Sequence, residues 1–254
     1  MRGEICIGSA SALSFISLLL LIFAHVGQIN TDTVPSQVAL VTVNMTGYAR
    51  GLQGATGDPT PGLFTNDSRT PLGRRQGLRN IYSWGFYKYC AYIERPDGQC
   101  VNQTFGFPFR PYDTVIGDTP DFYQTQTQFV LPHDSAFVDS VYLADYTRAG
   151  FWLVFLGTLS AGIAFLSGLY KSTMTFMIST VFSMFGAGCL LIGASILTAV
   201  LNKAKSINNY TVVDGTPLGI IVSTGSALSL VWAAFVLLFL SMGPYLVSCS
   251  TYRK

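Results

Sequence analysis

The stretch Trp84-Gly85-Phe86-Tyr87-Lys88-Tyr89-Cys90, followed by Cys100 after nine intervening residues, lies in a long polar segment between two apolar runs. Residues 85–93 alternate aromatic with polar side chains, the pattern of a half-buried strand. Residues 99–105 read as the return strand after Arg95-Pro96-Asp97-Gly98, a turn in which proline presets φ and glycine supplies a positive one. Residues 37–44, rich in β-branched side chains, read as a further strand. A turn centred on Pro96-Asp97 would set Cys100 opposite Ile93, too far from Cys90 for a bridge. A closed disulfide therefore requires a wider or bulged hairpin.

Outward from this hairpin the composition is that of a membrane protein. Half the residues are apolar, 11% are charged and mean hydropathy is +0.41. Four runs, 6–26, 149–170, 175–201 and 218–243, contain no Asp, Glu, Lys or Arg and reach the length of about 20 residues needed to cross the hydrocarbon core. The first run outlasts the apolar core of about 7–15 residues found in a cleaved leader, so it reads as a retained helix. The expected layout is a cytosolic head 1–4, membrane helix 5–27, extracellular loop 28–148, membrane helix 149–170, cytosolic turn 171–174, membrane helix 175–201, extracellular loop 202–217, membrane helix 218–243 and cytosolic tail 244–254.

Charge and modification motifs give that layout its direction. Residues 27–148 carry 9 basic and 11 acidic side chains, whereas the head, the short turn and the last four residues carry four basic side chains against one Glu. This is a mild positive-inside bias. Asn44-Met45-Thr46, Asn66-Asp67-Ser68, Asn102-Gln103-Thr104 and Asn209-Tyr210-Thr211 all satisfy the N-glycosylation pattern, and all fall in the two loops placed outside. Cys90 and Cys100 are the only cysteines in those loops, so in an oxidising compartment each has one available partner. Cys6 and Cys249 lie at the cytosolic ends of the first and last helices, where a cysteine can be palmitoylated or stay a reduced thiol, and Cys189 is a mid-helix packing residue.

Two further segments have a local reading. Residues 51–77 are rich in Gly, Pro, Thr and Asp and read as a mobile excursion, with Arg69, Arg74, Arg75 and Arg79 as a solvated basic cluster able to meet anionic headgroups or wall polymer. From Asp134 onward Phe137, Val141, Tyr142 and Tyr146 recur at helical spacing, with Asp134 or Ser135 as N-cap. The second membrane helix is thus expected to begin outside the bilayer.

At these residues the chain resembles a known superfamily. The W…G-L-W-x-x-C…C signature of claudin-like four-helix proteins is similar to Trp84, Gly85-Phe86-Tyr87 and Cys90 with Cys100, Tyr87 standing where the second Trp is expected. The chain more closely resembles the fungal tetraspan family of cortical-patch (eisosome) proteins, the Sur-seven and PalI group. That group shares a W-G-x-x-x-x-C…D-G…C hairpin and a proline-rich continuation like Pro108-Phe109-Arg110-Pro111-Tyr112-Asp113. It also shares a Pro-His pair like Pro132-His133 and a Y-L…T-R approach to helix two like Tyr142-Leu143…Thr147-Arg148. The resemblance implies that the Arg148 guanidinium hydrogen-bonds backbone carbonyls of the β-domain. The bland role for Arg148 is that of an interfacial, snorkelling side chain.

Other functions find little support in the residues. His133-Asp134-Ser135 places three catalytic residue types side by side, but triads assemble from distant positions, and the other histidine, His25, has no metal-ligand spacing. The charge-free helices offer no ion path. They carry close-packing residues instead: Ser160, Ala164 and Gly168 in the second, Gly186 and Gly193 in the third, and Gly219, Ser223 and Ala227 in the fourth.

The expected fold is a claudin-like four-transmembrane-helix bundle, left-handed, with an extracellular antiparallel β-sheet domain. The resemblance implies a non-enzymatic organiser of a fungal plasma-membrane microdomain supporting cell-wall and lipid homeostasis. The alternatives are an auxiliary subunit of a larger pump, channel or wall synthase, and a PalI-like pH- or stress-sensing component. Expected partners are membrane lipids, another copy or another membrane protein beside it, and the cell wall; no cofactor, metal or nucleic acid is expected.

Overall fold

The computed structural model describes the backbone of residues 2–170, 172–212 and 215–251, and the side chains of 8–170, 172, 174–212 and 215–245. In chain order the elements are α1 (Arg2–Val26), α2 (Thr33–Gln37), β1 (Val41–Asn44), α3 (Tyr48–Thr56), β2 (Ile81–Trp84), β3 (Tyr89–Glu94) and β4 (Asp97–Cys100). Then come α4 (Pro111–Asp118), α5 (Asp121–Val130), α6 (Ser140–Gly168), α7 (Thr173–Ala204), a 3-10 turn (Lys205–Asn209), β5 (Ile221–Thr224) and α8 (Ser226–Thr251). Two compact units result: a helical unit of Met1–His25, Ala149–Ile196 and Ala227–Lys254, and a sheet unit of Val26–Arg148 and Leu197–Ser226.

Four segments of the helices, Gly8–Val26, Ser140–Gly168, Met174–Asn209 and Ser226–Tyr245, are long and apolar enough to cross a membrane. Their buried positions follow a seven-residue rhythm. On α1 they include Ala10, Ser14, Ser17, Leu21 and Ala24, with Ser11 beside them, and on α8 Ala227, Val231, Ala234, Leu238, Ser241 and Tyr245, with Leu228 beside them. Alternating steps of four and three keep one seam of each helix facing its neighbours, as in left-handed bundles. The seams mix small and hydroxyl-bearing residues with Leu, Val and a few rings such as Phe151 and Phe176, and many large apolar side chains such as Phe15, Phe23, Leu166, Met184, Phe185 and Phe239 point outward. In lipid this inversion is favourable, because tails solvate large apolar groups while small ones let backbones approach. Ser17 Oγ donates to the Ala234 carbonyl at 2.8 Å, so this seam hydroxyl is satisfied inside the unit.

The fourth membrane helix begins later than its apolar run suggests. Residues 221–224 form β5, and the helix starts at Ser226, so Gly219 and Ser223 are not helix-packing residues; only Ala227 of that set lies on the buried seam. Gly219 has φ +79°, outside the helical region, and the following Ile220-Ile221-Val222 is β-branched. Periodicity cannot separate a short buried strand from helix in such a run.

The sheet is antiparallel, ordered β4-β3-β2-β1-β5, and so joins strands from both loops. Other strand bounds also differ from expectation. Residues 85–88 are a turn, with Gly85 N–H donating to the Lys88 carbonyl at 2.9 Å, and β4 ends at Cys100. Both edges are blunted against further pairing. Asn208 mimics a strand beside β5, its amide accepting from Val222 N–H at 2.7 Å and donating to the Val222 carbonyl at 2.9 Å. Beside β4, Gln99 donates to the Arg69 carbonyl at 2.6 Å.

Residues 51–77 are largely exposed, but the segment is anchored within and at its end. Leu52, Leu63 and Leu78 are fully buried, and α3 lies against the segment before β5 so closely that a Cβ on Gly51 would meet the Leu218 carbonyl oxygen. The α6 N-cap is Asp139, whose carboxylate accepts from Tyr142 N–H at 3.0 Å, and not Asp134 or Ser135. Ser135 instead closes a turn on the Pro132 carbonyl.

Candidate functional site: the stapled sheet and its two faces

Cys90 and Cys100 are joined by a disulfide and stand directly opposite in the β3–β4 register. Val101 N–H donates to the Tyr89 carbonyl at 3.1 Å, so the cysteines occupy the neighbouring non-hydrogen-bonded pair, where facing side chains come closest. The irregularity required for closure is present. Tyr92 pairs Gly98 but Glu94 pairs Asp97, leaving Ile93 as the extra residue, and the turn is centred on Arg95-Pro96, not Pro96-Asp97.

One face of the sheet carries the core. Val41, Val43, Tyr82, Trp84, Tyr89, Ala91 and Val222 are all buried on it. Trp84 is 1% exposed, stacks on Tyr89 at 5.4 Å between ring centroids and takes Phe109 edge-on at 5.0 Å. Its indole N–H has no hydrogen-bond partner among the described residues, so it anchors by area and ring geometry. Tyr87, the other aromatic of the motif, is half-buried against Phe105 at 5.9 Å.

A polar cluster fastens the long loop to α4 on this core. Tyr82 Oη donates to Asp118 at 2.8 Å and accepts from Arg79 N–H at 3.0 Å, and Gly73 N–H donates to the other Asp118 oxygen at 2.5 Å. Burial raises the Asp118 carboxyl above its ordinary range, although the two hydrogen bonds and the Arg79 charge pull the other way. Burial likewise pushes Tyr82 well above the usual phenol value. Arg79 is 1% exposed, with Nη2 donating to the Thr70 carbonyl at 2.5 Å, which removes it from the expected basic surface. Arg75 pairs with Asp121 at 2.7 Å, so the expected cationic patch is dispersed.

The opposite face is half covered. Gln28, buried and at φ +59° just past α1, turns its side chain across the sheet. Its amide donates to the Ser36 carbonyl at 2.8 Å and the Pro35 carbonyl at 3.1 Å, and accepts from Tyr92 Oη at 2.8 Å. Gly85 packs on the same segment so tightly that a Cβ would strike the Gly27 carbonyl oxygen. Glycine after the tryptophan is thus a requirement of close approach. Gln28 carries no sequence pattern that marks it; its adjacency to a helix end was the available signal.

The other half of that face is open. Arg95 folds back from the hairpin turn, donating to Ser83 Oγ at 2.6 Å and lying 5.5 Å over the Tyr92 ring. Beside it, Thr42, Asn44, Ile81, Glu94, Arg95, Ile221 and Ser223 line a groove of about 480 Å³.

The remaining expected site residues are dispersed. Asn66, Asn102 and Asn209 are exposed, and Asn44 is half-buried at the end of β1. Arg148 is exposed, and among the described residues no hydrogen bond joins it to a sheet carbonyl. Its neighbour Thr147 makes the tie, Oγ1 accepting from Phe109 N–H at 3.2 Å. His133 is exposed and lies outside α6. Among the described residues there is no group of three His, Cys, Asp or Glu that could hold a metal. The Cys6 and Cys249 side chains lie outside the described residues. Gly186 meets Ser160 Cβ and Leu238, Gly168 meets the Tyr245 ring and Gly193 meets Leu153, so these small residues are used within the bundle, where Ala164 is also fully buried.

Four apolar spans with a disulfide-stapled antiparallel sheet define a claudin-like multi-pass membrane protein. The profile of the SUR7/PalI family matches residues 6–242, nearly the whole chain, and the protein belongs to that family. No curated protein matches the sequence.

Proposed function

We propose that the protein is a non-enzymatic organiser of a plasma-membrane microdomain of the eisosome or cortical-patch kind, supporting cell-wall and lipid homeostasis. Its sheet unit faces outward and bears N-linked glycans, and its termini are cytosolic. The observation that carries this reading is the division of labour in the helical unit. Gly157, Gly168, Gly186 and Gly193 are spent on close contacts inside the bundle, and the outer surface is dominated by large apolar side chains, including Phe15, Phe23, Leu166, Phe185 and Phe239. Such a body interacts through its lipid-facing surface and its outer domain, and membership of the SUR7/PalI family supports that use. Partners are therefore lipids, further copies and neighbouring membrane proteins, with the wall facing the sheet unit.

Isolation from the native membrane in mild detergent, with identification of what co-elutes, tests the proposal. Clusters of this chain with associated lipid are expected. A stoichiometric pump, channel or synthase would replace the organiser role with that of an auxiliary subunit.

A further inference from the structure

The four glycosylation motifs are not equivalent in the fold. Asn66, Asn102 and Asn209 are exposed and lie outside the strands. Asn44 is the last residue of β1, a strand bordered on both sides, and it lines the open groove. Its direct register partners are Ile81 on β2 and Ile221 on β5, so aliphatic side chains flank it on the same face. Ile221 is 53% exposed.

The amide is also turned for modification. Asn44 Oδ1 accepts from Thr46 N–H at 2.9 Å and Thr46 Oγ1 at 2.7 Å, which leaves Nδ2 as the free edge. The lining also holds polar groups, Thr42, Ser223, Glu94 and Arg95, and the Arg95 Nε is shielded from water without a hydrogen-bond partner among the described residues. A shielded donor without an acceptor is costly. The groove volume of about 480 Å³ falls within the range of about 300–1,000 Å³ typical of small-ligand sites.

We propose that the groove is the seat of the Asn44 glycan itself. The first sugars lie over Ile81 and Ile221 and hydrogen-bond toward Arg95, covering the half of the sheet face that the Gln28 segment leaves open. The attachment forms a bond between Asn44 Nδ2 and C1 of the sugar. A lipid-diphosphate-linked oligosaccharide is the donor, the lipid diphosphate departs, and the amide loses a proton. Pyranose C–H faces suit the two isoleucines, and hydroxyl and N-acetyl oxygens suit a guanidinium. The glycan is thus a packed part of the sheet unit, whereas glycans at Asn66, Asn102 and Asn209 extend into solvent. The proposal rests on the outward orientation of the sheet unit given above.

The test is site-resolved glycopeptide mass spectrometry on the full chain purified from its native membrane, after timed glycosidase digestion of folded and of denatured protein. Asn44 is expected to be occupied and, in the folded protein, released at least about tenfold more slowly than in the Ile221→Ala variant. Ile221 is half exposed, so its truncation leaves the fold standing. In denatured protein the two rates should coincide. Equal release in folded wild type and variant overturns the seat. An unmodified Asn44 with other motifs occupied also overturns it while leaving the orientation intact. An absence of glycan at all four positions overturns the orientation and the seat together.

Discussion

The two units solve opposite packing problems. In the helical unit the buried seams are mostly Ala, Ser, Gly, Val and Leu with only a few large rings, Phe151, Phe176 and Tyr245, among them, and Phe15, Phe23, Phe185 and Phe239 face outward. In the sheet unit Trp84, Tyr48, Tyr82, Tyr92, Phe86 and Phe109 are buried, and the strands are joined by a disulfide. The surrounding medium explains the contrast. Water rewards burial of large apolar surface at roughly 25 cal/mol per Å², whereas lipid does not distinguish a buried Leu from an exposed one. What holds the bundle is close approach, and what holds the sheet is apolar area and a crosslink.

Trp84→Ala should break the sheet side of this contrast most severely, at a cost of about 3–5 kcal/mol for a buried ring. Hydrogen exchange should show the β1–β4 amides losing protection while far-ultraviolet helicity in detergent is retained. Equal loss in both units would mean that their stabilities are not separable.

Cys90→Ser should cost about 3 kcal/mol, the chain-entropy value for so short a closed loop, and the double replacement of Cys90 and Cys100 should cost no more than either alone. Thermal unfolding monitored by tryptophan fluorescence gives the comparison. A variant as stable as wild type would leave the aromatic core as the sole support of the hairpin.

On the helical side, Gly186→Leu drives a side chain into Ser160 and Leu238 and should cost about 1–3 kcal/mol by overpacking. Here helix melting in detergent should shift while the sheet amides keep their protection. No shift would show that the seam has room which the close approach denies.

The finest distinction is electrostatic. The Asp118 carboxyl is held above its ordinary value of 3.8 by burial, so the folded state keeps a proton that the unfolded state has released. Raising pH from below 3.8 through the folded value therefore removes stability from the sheet unit. Asp118→Asn should abolish that slope, so the difference between wild type and variant shrinks at acid pH and grows toward neutrality. A slope of opposite sign would show that Arg79 and the two hydrogen bonds outweigh burial.

Much of this architecture was legible. The apolar runs exposed three of the four helices nearly whole, because length and absence of charge suffice. The cysteine spacing and the need for a bulge were also readable, since strand geometry allows few ways to bring Cys90 to Cys100. Arg79 was misread because a buried guanidinium looks like a solvated one in sequence, and what separates them is a partner such as Thr70, nine residues away. Gln28 and Asn208 were invisible for the same reason, since Gln28 is held by the Tyr92 hydroxyl and the Ser36 carbonyl and Asn208 by the Val222 backbone, partners no local pattern announces.

By itself, the sequence determined that this chain spans a membrane four times and carries a disulfide-bearing hairpin, because both follow from local composition and spacing. Only the tertiary structure decided that residues 221–224 leave the apolar run to pair with β1. It alone decided that Thr147 and not Arg148 ties α6 to the sheet core, and that Asn44 lines a groove. The first two depend on which distant backbone group lies within hydrogen-bonding reach and the third on which strands border β1, and all three are fixed by the packing of the whole unit.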